Sequence, residues 1–226
     1  MLPDTSEFPN TKPTAFTNRH ERLTRIFQIG FNKCGTRSLY RFMQKSNIHA
    51  AHFNRGKLAF FIARNIEYGR KPLYGINRYI GYTDVQSITR DGVIEGAHYY
   101  RELYQYYPNS YFILNTRDRD GWIKSRLKHG GGNYAERYRK GLNLENEEAV
   151  INHWINDWDT HHREVPKFFA DKPGRLLVYD IKNDNPEKIV SFLNPDFNTK
   201  VEHFGHEGDT ANVDGKSYLT NKPVVR

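Results

Sequence analysis

The sequence contains a single cysteine, Cys34, and no long apolar run. One cysteine excludes an intramolecular disulfide framework and argues against a cysteine-based zinc site, so we expect a reducing, cytoplasmic setting. No stretch approaches the roughly 18 consecutive apolar residues of a transmembrane helix. The N-terminal region also has no apolar core of the kind that a signal peptide carries. We therefore predict neither a membrane span nor secretion.

The composition is that of a basic, folded protein. The 226 residues include 34 Lys and Arg against 26 Asp and Glu, which gives a formal net charge of +8. Aromatic residues make up 14% of the chain, too many for a disordered protein, and the length suffices for one domain with a sizeable core. The charge favours an anionic partner, which can be a nucleic acid, an anionic membrane surface or an anionic small molecule.

We divide the chain into three parts. Residues 1–22 combine prolines with polar residues and are predicted to form an N-terminal arm. Residues 23–204 are predicted to form a single domain, and residues 205–226, rich in Gly and Asp, a C-terminal tail.

Short apolar segments alternate with helical patterns within this domain. Three predicted strands are each followed by a predicted helix. The pairs are Arg25–Ile29 with Thr36–Lys45, Tyr111–Thr116 with Asp120–Lys128, and Arg175–Tyr179 with Pro186–Leu193. Two more helices are predicted over His98–Tyr106 and from Glu145 to about Glu164. The alternation predicts a three-layer α/β fold, in which helices flank a central, mainly parallel sheet and ligands bind at the carboxyl ends of the strands.

A glycine-bounded loop follows the first predicted strand, from Gly30 to Ser38 (GFNKCGTRS). A strand, such a loop and a helix that begins with Thr or Ser together form a cradle of backbone N–H groups for an anion. In the nucleotide-hydrolase pattern a lysine directly follows the second glycine. Here Thr36 follows Gly35, and the lysine, Lys33, lies inside the loop. One lysine and a helix N-terminus suit a sulfuryl group, which carries less charge than a terminal phosphoryl group.

An arginine and a serine follow the second strand at a spacing of eight residues. Arg117 is expected at the strand end and Ser125 in the next helix, with Asp120 as that helix's N-cap. A guanidinium and a hydroxyl in this arrangement can bind one phosphate. Taken alone, such a segment is more often a solvated charged turn.

Together, the two motifs resemble those of the sulfotransferase family that uses 3′-phosphoadenosine 5′-phosphosulfate (PAPS). The segment from Lys33 to Ser38 is similar to the family's 5′-phosphosulfate loop, and Arg117, Trp122 and Ser125 are similar to its 3′-phosphate motif. The resemblance covers roughly residues 24–195 and implies a P-loop-type fold. Arg37 departs from the family's usual threonine, and Arg139-Lys140-Gly141 matches a C-terminal family motif in letters but not in position.

The resemblance implies transfer of a sulfuryl group from PAPS to a hydroxyl or amine, with release of 3′,5′-ADP and no metal. Lys33 would stabilise the leaving oxygen, and Arg117 and Ser125 would bind the 3′-phosphate. The rest of the predicted cofactor site comprises Asn32, Cys34, Gly35, Thr36, Arg37, Ser38 and, against the adenine, Tyr179. The acceptor would be a small molecule or a saccharide rather than a nucleic acid, and the oligomeric state stays open.

The general base is the least determined part of this site. Asp84 is the first candidate, because it follows a segment that could be a strand and a similar Thr-Asp pair occurs in bacterial relatives. His52 is the second, and His49, Glu95 and His98 are further ones. Each of them also fits a cap or a surface position.

Two other functions stay open at this point. A P-loop kinase or nucleotide hydrolase would use Mg-ATP, with Asp180 after the third strand as a metal ligand, although Thr36 stands where that class has lysine. A nucleic-acid-binding protein would fit the charge, but the cations do not form one stripe with interleaved aromatics.

Overall fold

The structure is a computed structural model, and it describes residues 24–205. The predicted arm lies outside the described residues, and so does the predicted tail except for Gly205. Across the described residues there is no helix with the length and apolar character needed to cross a membrane.

Short parallel strands form the central sheet. They are Ile26–Gln28 (β1), Ala50–His52 (β2), Gly81–Thr83 (β3), Tyr111–Thr116 (β6) and Leu176–Asp180 (β7), while Gln86–Ile88 (β4) and Val93–Glu95 (β5) form a separate antiparallel hairpin. The five-stranded sheet has the order β2-β3-β1-β6-β7. The parallel sheet confirms the predicted α/β class. β6 has the predicted bounds, β1 is shorter than predicted, and β7 is displaced by one residue.

Helices cover both faces of the sheet. They are Thr36–Lys45 (α1), Lys57–Glu67 (α2), Tyr100–Tyr106 (α3), Arg119–Leu127 (α4), Asn133–Gly141 (α5), Glu147–Phe169 (α6) and Glu187–Leu193 (α7). Buried residues of α1 and α7 pack with β1, β6 and β7 on one face, and those of α2, α3 and the end of α6 pack on the other. The layers are therefore those that the sequence predicts.

The long helix α6 continues past the predicted end at Glu164. Pro166 lies inside it and cannot donate a backbone hydrogen bond. Val165 and Phe169, however, are both buried in the core beneath the sheet. Burial of this last turn outweighs the missing hydrogen bond.

The helix after β6 begins one residue earlier than predicted. The side chain of Asp118 accepts a hydrogen bond from the backbone N–H of Gly121 at 2.7 Å, so Asp118 is the N-cap. Asp120, the predicted cap, lies in the first turn of α4. Both aspartates suit a helix start, and the sequence did not distinguish them.

A third cluster of buried side chains lies between α4, α5 and the first half of α6. It contains Phe31, from the loop after β1, together with three tryptophans and two tyrosines, which are Trp122, Trp154, Trp158, Tyr134 and Tyr138. Phe31 and Cys34 belong to this cluster, which therefore supports the Gly30–Ser38 loop.

Candidate active site

The loop between β1 and α1 has the backbone of an anion cradle. Lys33 and Gly35 adopt left-handed conformations, with φ of 66° and 77°. Gly35 is the N-cap of α1, and the first turn of this helix contains no acidic residue. The backbone N–H groups at the start of α1 therefore face the loop, where the helix dipole attracts negative charge.

Two buried amide side chains hold this loop against the sheet. Asn115, in β6, accepts hydrogen bonds from the Gly30 backbone N–H at 3.1 Å and from Gln28 Nε2 at 2.7 Å. Its Nδ2 donates to the Cys34 carbonyl at 2.6 Å. Gln28, in β1, accepts through Oε1 from the Asp84 backbone N–H at 2.7 Å. Gln28 and Asn115 thus couple the loop to the residue that follows β3, and the sequence analysis missed both.

We expect replacement of Gly30 by alanine to destabilise the protein strongly. A Cβ at this position would lie 2.0 Å from the Asn115 carbonyl oxygen. The loop would have to leave β6, at a cost of about 3 kcal/mol or more. For a chain of this length, that corresponds to a fall in Tm of roughly 6–12 °C in calorimetric melting.

Gly69 offers a matched control for this substitution. A Cβ at Gly69 meets nothing within 4 Å, and the cost of Gly69→Ala is that of its left-handed backbone, φ 65°. That cost is about 1–2 kcal/mol. Equal melting temperatures for the two variants would contradict the close packing of Gly30 against β6.

Some of the predicted loop residues support the cradle rather than face it. The Cys34 side chain is fully buried, and burial raises the pKa of its thiol to about 12. The Asn32 carbonyl accepts from Trp122 Nε1 at 3.0 Å, and Asn32 Oδ1 accepts from Arg126 Nε at 2.8 Å. Thr36 and Ser38 lie at the start of α1 and are buried. Because its side chain is buried, Cys34 can offer a ligand only its backbone.

The second motif lies directly against the loop. Arg117 Nη1 donates to the Lys33 carbonyl oxygen at 3.3 Å, and Arg117 Nε is buried with no hydrogen bond from the described residues. Ser125, half-buried in α4, lies one turn after Trp122, which itself contacts the loop. The two segments that the sequence singled out independently are therefore joined at two points.

Arg126 is a structural residue of this region that the sequence analysis missed. It is fully buried, pairs with Glu95 Oε1 at 2.7 Å, and has its guanidinium 4.3 Å from the centre of the Trp122 ring. The hydroxyl of Tyr138 also donates to Glu95. Because Arg126 also binds Asn32, the pair fixes the base of the loop. In the sequence Arg126 is one cation among several, and nothing there marks it as buried.

The two leading base candidates meet at the carboxyl ends of β2 and β3. His52 Nε2 lies 3.7 Å from Asp84 Oδ2. Thr83 donates its hydroxyl to the Ala51 carbonyl at 3.1 Å, so it accepts from His52 Nδ1, 2.9 Å away. His52 is therefore protonated at Nδ1, and its unprotonated Nε2 faces Asp84.

Burial shifts the pKa of both groups in the direction that favours their neutral forms. It raises the pKa of Asp84 to about 6, with a further rise from Glu95, and Arg126, Arg37 and Lys33 oppose the shift. It lowers the pKa of His52 to about 4, and Arg37 and Arg41 lower it further. At neutral pH, Asp84 is mainly a carboxylate and His52 is a neutral imidazole.

Lys33 lies in the same electrostatic environment. Burial lowers its pKa, Arg37 and Arg117 lower it further, and Asp84 opposes them. Burial lowers the pKa of His129 to about 4, and Lys33, Arg37, Arg126 and Arg137 lower it further. The charges of Lys33 and Arg37 thus act on both His129 and Asp84.

The remaining base candidates lie elsewhere. Glu95 is buried in its pair with Arg126, and His98 Nε2 lies 2.7 Å from Asp157 Oδ1 beside Phe31. His49 precedes β2, at the opposite end of the strand from His52. Of the base candidates, only Asp84 acts on the pKa of Lys33.

Tyr179 is not at the surface of the site. It is 1% exposed, its ring packs edge-to-face on Phe204, and it belongs to the core between the sheet, α1 and α7. Its alternating position in β7 points it into that core, so the predicted adenine contact is not retained.

Within residues 24–205, no three His, Cys, Asp or Glu side chains are grouped as a metal ion requires.

The site combines an anion cradle, an arginine joined to it and a carboxylate at the end of β3, an arrangement suited to binding an anionic ligand. The family model described as a sulfotransferase domain matches residues 25–154, more than half of the chain. The chain therefore belongs to this family and is a sulfotransferase. The match includes Asp84, Arg117 and Ser125, and it ends before Tyr179. No curated protein is significantly similar to the chain.

Proposed function

We propose that this sulfotransferase takes its sulfuryl group from PAPS and transfers it to a hydroxyl or amine of a small-molecule or saccharide acceptor, with release of 3′,5′-ADP. The observation that carries the proposal is the direct contact between the two motifs, from Arg117 to Lys33 and from Trp122 to Asn32. A donor with phosphates at both its 5′ and 3′ positions needs two such anion sites at a fixed separation.

The residues present fit this donor. The loop and the N-terminus of α1 would hold the 5′-phosphosulfate, and Arg117 with Ser125 would hold the 3′-phosphate. Arg117 Nε is buried and donates no hydrogen bond to a described residue, with Asp118 Oδ1 3.9 Å away, so a ligand oxygen could accept from it. When bound, PAPS supplies an activated sulfuryl group.

Two side chains of the chain would then carry the chemistry. Lys33 makes no ion pair with a described carboxylate, and its ammonium would offset the negative charge that develops on the leaving oxygen. Asp84 would accept the proton of the acceptor hydroxyl, since a carboxylate with a pKa of about 6 is ionised at neutral pH and is more basic than usual. His52 is the second candidate for this proton.

Asp180, the metal ligand that the Mg-ATP alternative requires, is engaged in hydrogen bonds within the turn after β7. Asp180 Oδ1 accepts from the backbone N–H groups of Lys182 and Asn183 at 2.8 and 3.1 Å. Its Oδ2 accepts from Asn183 Nδ2 at 3.0 Å. The carboxylate therefore closes the turn after β7 and is not free to serve the loop.

We expect Arg117→Ala to weaken binding of 3′,5′-ADP by about 10- to 100-fold, because charge-assisted hydrogen bonds to the 3′-phosphate are lost. The measurement is calorimetric titration. We expect 5′-AMP, which has no 3′-phosphate, to bind the variant and the wild type with the same Kd. Arg119→Ala is the matched control, since Arg119 pairs with Asp159 at 2.7 Å on the outer side of α4. An equal loss for both nucleotides would contradict the assignment of Arg117 to the 3′-phosphate.

A further inference from the structure

A basic face of α1 lies near the carboxylate of Asp84. Arg37 and Arg41 lie one helical turn apart, so their side chains share this face with Tyr40. The Tyr40 ring stacks on the His52 ring, with centroids 5.1 Å apart and an angle of 22° between the planes. The face therefore lies beside the ends of β2 and β3, where the acceptor must approach Asp84.

The two arginines on this face have no carboxylate partner among residues 24–205. Arg41 donates to the side-chain oxygen of Gln44 at 2.9 Å, and its guanidinium lies 5.8 Å from the centre of the Tyr40 ring. Other arginines on the surface do pair, as Arg64 does with Glu67 at 3.2 Å. The positive charge of the α1 face is thus left uncompensated.

The donor sites already contain their own cations. Lys33 and the start of α1 serve the 5′ side, and Arg117 serves the 3′ side. Arg37 and Arg41 both act on His52, whose pKa they lower in addition to burial. Their positive charge therefore reaches the acceptor side of Asp84, where it attracts a negatively charged substrate.

We propose that the α1 face of Arg37, Tyr40 and Arg41 binds an anionic group of the acceptor, a carboxylate or a sulfate ester close to the hydroxyl that is sulfated. Acidic saccharides with hexuronate units have this chemistry, and the stacked Tyr40 and His52 rings offer an apolar surface to a sugar ring. This inference rests on the proposed function, because it takes Asp84 and Lys33 as the reacting centre. It assigns the side chain of Arg37 to the acceptor and leaves its backbone to the donor loop.

The test is calorimetric titration of the full chain saturated with 3′,5′-ADP. The probes are two matched pairs: a glucuronate-containing disaccharide with its carboxyl-reduced form, and 4-hydroxyphenylacetate with 4-hydroxyphenylacetamide. We expect the charged member of at least one pair to bind about tenfold more tightly than the neutral one, as one added charge-assisted hydrogen bond gives. In the double variant Arg37→Thr, Arg41→Gln, we expect the Kd values of the charged and neutral probes to differ by twofold or less. In the control Arg64→Gln it is unchanged.

Binding of 3′,5′-ADP separates this inference from the proposed function. If wild type and double variant bind 3′,5′-ADP alike but show no preference for the charged probes, or bind none of them, the inference is wrong and the proposed function stands. If Arg37→Thr alone weakens 3′,5′-ADP binding by tenfold or more, Arg37 belongs to the donor site and the inference is also wrong. If the wild type binds no 3′,5′-ADP, the proposed function fails first.

Discussion

Replacing Lys33 by methionine lowers kcat by about 10²- to 10³-fold, the range found when one donor to a developing oxyanion is removed. The loss is expected in kcat because the charge of Lys33 matters most when the bond to the leaving oxygen breaks. The product 3′,5′-ADP has no sulfuryl group, so its Kd should change far less, by about tenfold at most. The measurement is release of 3′,5′-ADP from PAPS with the acceptor probe that binds best.

Methionine is a suitable replacement because it keeps the unbranched length of lysine at a residue with φ of 66°. The backbone strain of the loop is thus the same in both proteins, and the effect reports the charge. Lys45→Met, at the exposed end of α1, is the control and should leave kcat unchanged. A kcat of Lys33→Met within threefold of wild type would show that the loop binds the donor without help from Lys33 in the transfer.

Replacing Asp84 by asparagine lowers kcat by about 10²- to 10⁴-fold, the usual contribution of a general base. In the wild type, kcat/KM should rise about tenfold per pH unit up to a pH of about 6, where the carboxyl loses its proton, and stay level above it. We expect this rise of kcat/KM with pH to be absent in Asp84→Asn and to remain in His52→Gln. A rise centred near pH 4 that is lost in His52→Gln instead would assign the proton to His52.

Asp84→Asn should also fold at least as well as the wild type, which separates a catalytic loss from unfolding. Burial raises the pKa of Asp84 on folding, so above pH 6 the ionised carboxylate disfavours the folded state relative to the unfolded one. A neutral asparagine removes this effect, and calorimetric melting at pH 7.5 should give an equal or higher Tm. A lower Tm would mean that the attraction of Arg126, Arg37 and Lys33 for the carboxylate outweighs the burial of its charge.

The parts of the fold that could be predicted are those that local sequence determines. Gly35 followed by Thr36 begins α1 at the predicted residue, and the apolar run of β6 has the predicted bounds. The strands β2 and β3 have three residues each, so their pattern is weak: β2 was not predicted, and β3 was only a possible strand before Asp84. Their order beside β1 depends on tertiary packing, and so the meeting of His52 with Asp84 had to come from the structure.

The network that supports the site is the part that the sequence conceals. Gln28 and Asn115 are ordinary polar residues in apolar strands. They clamp the loop only because β1 and β6 are paired so that Asn115 lies two residues beyond Ile113, the register partner of Gln28. Arg126 is indistinguishable from the exposed cations around it until the Trp122 and Tyr138 rings enclose it. Tyr179 shows the converse, since a tyrosine beside a strand end is buried when its register turns it into the core.

Calorimetric titration of 3′,5′-ADP without Mg²⁺, beside 5′-AMP and beside ATP with and without Mg²⁺, tests the PAPS donor most directly. We expect 3′,5′-ADP to bind with no need for the metal and more tightly than 5′-AMP by about 10- to 100-fold, the contribution of the 3′-phosphate contacts. A preference for ATP that depends on Mg²⁺, or equal binding of 3′,5′-ADP and 5′-AMP, would contradict a donor held through two phosphate sites.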